Sequence, residues 1–263
     1  MPESLEITVD RHIARIALNR PQVHNAFDDA VITELTTALA KFDADPGLRA
    51  VILTGNGSTF SAGADLNWMR GMASASEAEN RADSERLAAL MRSLNFLSKP
   101  TIARINGSAY GGGVGLVACC DIAIATDSAK FGLTEVKLGL VPAVISQYVI
   151  AAIGGRHARR LFVSGEIFDA AEAARIGLIH QTVAAAQLDE ALDRNLHWLL
   201  KGGPSAQREA KLLALRCAGT TRESAERIDA ENAALIARLR VSDEGQEGLA
   251  AFLDKRGAIW INQ

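Results

Sequence analysis

From Leu5 to about Val183 this 263-residue chain alternates short apolar runs with stretches of helical spacing, which confines it to an α/β architecture with its strands buried. Leu5, Ile7 and Val9 alternate, and Ile13, Ile16 and Leu18 follow a break at Asp10-Arg11-His12, so the chain opens on a predicted hairpin. From Asp28 the positions Val31, Ile32, Leu35, Leu39 and Phe42 recur at helical spacing until Asp45-Pro46-Gly47 stops them before the buried run Ala50 to Leu53. Gly55 to Gly63 reads as loop, Glu77 to Leu97 as a long helix, and Thr101 to Ile105 and Ile122 to Ala125 as strands. After Leu188 only helical stretches follow, around 186–201, 205–217, 222–240 and 243–254. The pattern divides the chain into a core at 1–187 and a C-terminal helical region at 188–263.

At 48% hydrophobic and 22% charged residues the chain can bury a real core, and a net charge of -3 leaves no electrostatic footprint for nucleic acid or an anionic membrane. Cys119, Cys120 and Cys217 supply neither a disulfide framework nor a paired zinc spacing. The segment MPESLEITVD lacks the basic and apolar runs of a leader, so the expected location is the cytoplasm, or an organelle matrix for a mature form. His12, His24, His157, His180 and His197 form no close metal pair, so no metal is expected, and neither a G-x-S-x-G elbow nor a phosphate-binding G-x-x-x-x-G-K-[ST] loop occurs. Gly113-x-Gly115-x-x-Ala118 matches a loose dinucleotide fingerprint, but well beyond the strand it should directly follow.

Two glycine-linked segments remain: Phe60-Ser61-Ala62-Gly63-Ala64-Asp65-Leu66-Asn67, and Asn106-Gly107-Ser108-Ala109-Tyr110-Gly111-Gly112-Gly113-Val114-Gly115. Each ends at a helix start, where small residues leave backbone N–H groups approachable and the helix dipole adds positive potential. Two such ends brought together would form an oxyanion hole. The alternative is that these glycines only permit tight turns and close packing.

The two segments together, with Asn19-Arg20-Pro21, Asn25-Ala26-Phe27, Asp121, Phe131-Gly132-Leu133-Thr134-Glu135, Leu138-Gly139-Leu140-Val141-Pro142 and Phe252-Leu253-Asp254-Lys255-Arg256, carry a resemblance over essentially the whole chain. The sequence resembles the crotonase family of enoyl-CoA hydratases and isomerases. Within it, SAGADLNWM, Cys119-Cys120-Asp121, PAVIS at 142–146 and VSDEGQEGLAAFLDKR are most similar to bacterial methylglutaconyl-CoA and isohexenylglutaconyl-CoA hydratases. The resemblance implies a ClpP-like β-β-α superhelix core with a C-terminal helical trimerisation region, assembled as a homo-trimer or a hexamer. It implies an acyl-CoA substrate with no separate cofactor, coenzyme A entering as part of the substrate. No nucleic-acid or membrane partner is expected; the one basic cluster, Arg156 to Arg160, reads as a helix face or a subunit contact.

By the same resemblance, the N–H groups of Ala64 and Gly112 would hold the thioester oxygen. Asn25, Ala26, Phe27, Ala62, Ala64, Asp65, Leu66 and Asn67 would line the adenine and pantetheine path, and Lys255 would reach coenzyme A phosphates. Glu135 matches the second hydratase glutamate, whereas Gly115 stands where the first would fall. The implied reaction is hydration of a 2-enoyl-CoA with a branched, glutaconyl-type acyl group, for which Gly115 would leave room. An enoyl-CoA isomerase using Glu135 alone is the alternative, and a catalytically idle acyl-CoA or RNA-binding fold a lesser one.

Overall fold

The computed structural model describes residues 4–262; residues 1–3, part of the N-terminal segment read for leader signals, and Gln263 lie outside the described residues. In chain order the elements are β1 (Leu5–Asp10), β2 (Ile13–Leu18), α1 (Asp29–Ala44), β3 (Ala50–Gly55), β4 (Thr59–Ser61), α2 (Leu66–Ser74) and α3 (Glu77–Asn95). Then come β5 (Thr101–Ile105), β6 (Ser108–Tyr110), α4 (Gly112–Cys119), β7 (Ile122–Thr126), β8 (Lys130–Gly132), α5 (Ala143–Ser164), β9 (Ile167–Asp169), α6 (Ala170–Arg175) and β10 (Gln181–Val183). The chain closes with α7 (Leu188–Lys201), α8 (Pro204–Cys217), α9 (Arg222–Arg240) and α10 (Asp243–Leu253).

Successive strands are dealt to two sheets. β3, β5 and β7 lie in the six-stranded sheet β1-β2-β3-β5-β7-β10, and β4, β6 and β8 in the four-stranded sheet β4-β6-β8-β9. Each turn of the coil therefore gives one strand to each sheet and then a helix, which is the β-β-α superhelix. The pairs among β3, β5 and β7 and among β4, β6 and β8 are parallel. β3 is buried along its whole length, as a parallel strand covered on both faces must be. The opening hairpin departs from the expectation of buried strands: β1 pairs only with β2 at the sheet edge, so Ile7 and Val9 are exposed.

Of the C-terminal helices, α7 lays Leu188, Leu192 and Leu196 against Ile52, Ile102 and Ile124 of the six-stranded sheet. α9 and α10 contribute Ile236 and Leu249 to the main core. α8 buries none of its residues within this chain.

Candidate active site

The two glycine-linked segments meet. At Gly63, where φ is +84°, an added Cβ would stand 2.8 Å from the Tyr110 carbonyl and 3.6 Å from the Gly112 nitrogen, so only glycine allows this approach. Arg20 fixes the surrounding loops through Nη1 to the Ala26 carbonyl (2.7 Å) and Asp28 (2.9 Å), and Nη2 to Asp65 (3.1 Å). Asn25 is 1% exposed, its amide spent on the Asn56 and Thr59 carbonyls and its Oδ1 on the Arg20 N–H. Asp65 caps α2 by accepting from the Asn67 and Trp68 N–H groups.

Phe27 and Ala64 form an isolated parallel bridge, in which the Phe27 N–H donates to Gly63 O (2.6 Å) and the Asp65 N–H to Phe27 O (2.7 Å). Those bonds engage the residues on either side of Ala64, so the Ala64 N–H points the other way. Gly112 opens α4, where the first-turn N–H groups have no partner within the helix. Both residues line one cavity of about 430 Å³, together with Phe27, Ala62, Gly63, Gly111 and Glu135.

Glu135 begins the single helical turn Glu135–Leu138 after β8, and Gly139, in the left-handed region, ends it. The carboxylate reaches back to the start of α4: a Cβ on Gly111 would lie 3.2 Å from Glu135 Oε1. Oε2 is shielded from solvent and has no hydrogen-bond partner among the described residues. Burial pushes the Glu135 carboxyl up to about 7, a rise that its own backbone N–H only partly offsets. A carboxyl poised there can both accept and return a proton at neutral pH.

Gly115 corrects the expectation of open space. It is buried and does not line the cavity, and a Cβ there would stand 2.2 Å from Ile145 Cγ2, 2.9 Å from Ile145 Cβ and 3.2 Å from Met91 Cε. Ile145, from the PAVIS segment at the start of α5, occupies the volume that a longer residue at 115 would need, and Ile145 itself faces the cavity. The glycine at 115 and the isoleucine at 145 thus share one volume.

Other expected residues are placed less directly. Asn25, Ala26, Asp65, Leu66, Asn67 and Lys255 do not line the cavity; Leu66, Asn67 and Lys255 are exposed near the surface. Arg256 rather than Lys255 stands at the cavity, held by Glu247 at 2.7 and 2.8 Å. The remaining lining is mostly apolar, with Trp68, Met69, Met72, Leu87, Ile236 and Leu249 at its α2, α3, α9 and α10 walls, and two further cations, Lys137 beside Glu135 in the chain and Arg240 at the end of α9. Sequence reasoning missed Ile145 and Arg240 as site residues. Among the described residues there is no cluster fit for a metal ion and no helix long and apolar enough to cross a membrane.

A family model described as "Enoyl-CoA hydratase/isomerase" matches residues 8–263. The chain belongs to the enoyl-CoA hydratase/isomerase family of enzymes. Among solved structures of this family, an enoyl-CoA hydratase from Shewanella pealeana is 43% identical with a TM-score of 0.79, the alignment covering 98% of this chain and 96% of that one. An enoyl-CoA hydratase from Mycobacterium avium superposes with a TM-score of 0.87 at 34% identity, covering 99% and 100% of the two chains. A crotonyl-CoA hydratase from Syntrophomonas wolfei is 31% identical over 263 residues, 99% of each chain. Among the described residues the enzyme's cavity is lined by one carboxylate, Glu135, together with Ala64 and Gly112.

Proposed function

We propose that this enzyme forms and discharges the enolate of an acyl-CoA thioester in the course of adding water to a 2-enoyl-CoA, with Glu135 as its proton carrier. The observation that carries the reading is the Glu135 carboxyl, raised to about 7, on the same cavity wall as the N-terminal turn of α4 and the Ala64 amide. A carboxylate of that strength handles an α-proton of a thioester only if the enolate oxygen is stabilised, and the Ala64 and Gly112 N–H groups are assigned to that oxygen. Coenzyme A is part of the substrate. Ala26, Phe27, Ala62 and the residues from Ala64 to Asn67 are assigned to its adenine and pantetheine, with the buried, fully bonded Asn25 fixing the loop beside them, and Lys255 to its phosphates from a neighbouring subunit. Assembly as trimers, or as paired trimers, is supported by α8, none of whose residues is fully buried within its own chain. The acyl group proposed is branched and of the glutaconyl type, for which the broad wall of Trp68, Met72, Leu87 and Ile236 offers apolar width.

One observation favours a second reading. With Ile145 packed onto Gly115, no second carboxylate among the described residues lines the cavity to hold a water with Glu135, and Glu135 alone suffices for a 3-enoyl to 2-enoyl isomerase. A screen of crotonyl-CoA, 3-methylglutaconyl-CoA and a 3-enoyl-CoA with product masses recorded separates the two. Gain of one water is expected; an unchanged mass with a shifted double bond assigns the isomerase, and no turnover of any acyl-CoA would end both readings.

The role of Gly112 has its own test. An added Cβ would lie 2.8 Å from the Phe27 ring, so Gly112→Ala strains this contact while keeping the N–H, and Gly112→Pro also removes it. Loss of an oxyanion donor costs roughly 10²–10³-fold in kcat. Gly112→Pro is expected to fall at least that far below Gly112→Ala; equal activities of the two variants would show that the donor is not used.

A further inference from the structure

We propose that Arg240 reads the far end of the acyl chain, so that the enzyme selects acyl-CoA thioesters whose chain ends in a carboxylate. The proposal rests on the acyl-CoA reading above and adds the residue that would recognise the substrate's second charge.

Arg240 is the last residue of α9 and enters an otherwise apolar part of the cavity wall, beside Ile236 and above the Trp68 ring, its guanidinium carbon 5.8 Å from the ring centroid. Its side chain is only 14% exposed. Both of its polar protein contacts run through one nitrogen: Nη1 donates to Asn80 Oδ1 and to Asp83 Oδ2, each at 3.2 Å. Nε and Nη2 thus keep their donors without a partner among the described residues. An arginine that merely clamped α9 to α3 would have no need to line the cavity as well.

The mount is rigid. Gln246 holds the Arg240 carbonyl at 2.6 Å, and Asn80, itself 0% exposed, is pinned by the Met72, Ala75 and Ser76 carbonyls. The counter-charge is shared, because Asp83 also takes Arg86 Nη2 at 3.0 Å, while Arg86's other acidic neighbour, Asp29, lies 3.6 Å away at the surface. A half-satisfied guanidinium edge, pre-oriented and poorly hydrated, suits a planar carboxylate received by two parallel N–H donors. Neutral Gly115 and Ile145 add no like charge against such a substrate, and Glu135, raised to about 7, is partly neutral at that pH.

Binding of saturated thioesters reads this recognition without turnover. Calorimetric titration with glutaryl-CoA and pentanoyl-CoA, which differ at the chain end by carboxylate against methyl, is expected to show wild type favouring glutaryl-CoA by about 10–100-fold, the range of a hydrogen bond to a charged group. Arg240→Gln should remove this preference while changing pentanoyl-CoA affinity little, and Arg240→Lys, which keeps the charge on Asp83, should retain part of it. Equal binding of the two thioesters by wild type overturns the proposal whether or not any variant folds. An equal loss for both ligands in a folded Arg240→Gln assigns Arg240 a structural role and overturns it too. The acyl-CoA reading is judged separately by the product-mass screen, since glutaryl-CoA and pentanoyl-CoA have no double bond to hydrate.

Discussion

Glu135→Gln is expected to lower kcat by about 10²–10⁴-fold while gaining stability over the wild type, because the carboxylate that would do the chemistry is also one the fold opposes ionising. The sign follows from the raised carboxyl, about 7 in the folded chain against an ordinary 4.5. Between those pH values the unfolded chain ionises this group and the folded chain keeps its proton, so wild-type stability falls as pH rises and the loss is complete above about 7. Glutamine has the same shape and no such dependence. Thermal unfolding of both proteins from pH 4 to 9 should therefore show Tm of Glu135→Gln pulling ahead across that window and staying ahead. The kcat/KM profile of the wild type should have an acidic limb near pH 7, since the carboxylate form must begin the reaction. A variant that lost activity and stability together would point to a structural role for Glu135.

The second large effect lies behind the catalytic wall. Gly115→Ala forces a methyl to within 2.2 Å of Ile145 Cγ2, and such overpacking typically costs about 1–3 kcal/mol. Gly115→Glu should do worse, since it adds a carboxylate to a buried position that Ile145 and Met91 already fill. It is expected to lose turnover of crotonyl-CoA rather than gain a second working glutamate. Ile145→Ala alone leaves a void, at about 2–5 kcal/mol for truncating a core isoleucine. Joined with Gly115→Ala it returns the space, so the double variant should be more stable than the sum of the single changes by more than about 1 kcal/mol. Denaturant unfolding of the four proteins closes the cycle; strict additivity would mean that residues 115 and 145 do not share this volume.

These two residues also mark how far the amino-acid order alone could be read. Local patterns carried the fold: the apolar spacing from Val31 to Phe42 forms α1 with Asp28 as its cap, and Gly202-Gly203-Pro204 separates α7 from α8. The glycines of the two site segments were equally legible, because Gly63 and Gly111 both adopt positive φ where the chain turns toward the cavity. What local patterns could not hold was contact between distant positions. Gly115 looked like vacant space until α5 laid Ile145 on it, and no neighbour in the sequence marked Arg240, which α9 brings over Trp68. Ile7 and Val9 show the opposite failure: their alternation is that of a half-buried strand, but among the described residues this face of the edge strand is covered only at Leu5.

The reading turns on Glu135 moving a proton at the carbon next to the thioester, and solvent exchange at that carbon tests it most directly. Incubated with its acyl-CoA in deuterated water, the wild type should place deuterium on the α-carbon, followed by nuclear magnetic resonance, and Glu135→Gln should place at least 10²-fold less in the same time. Exchange by Glu135→Gln at the wild-type rate would contradict the assignment and move the proton transfer to another group.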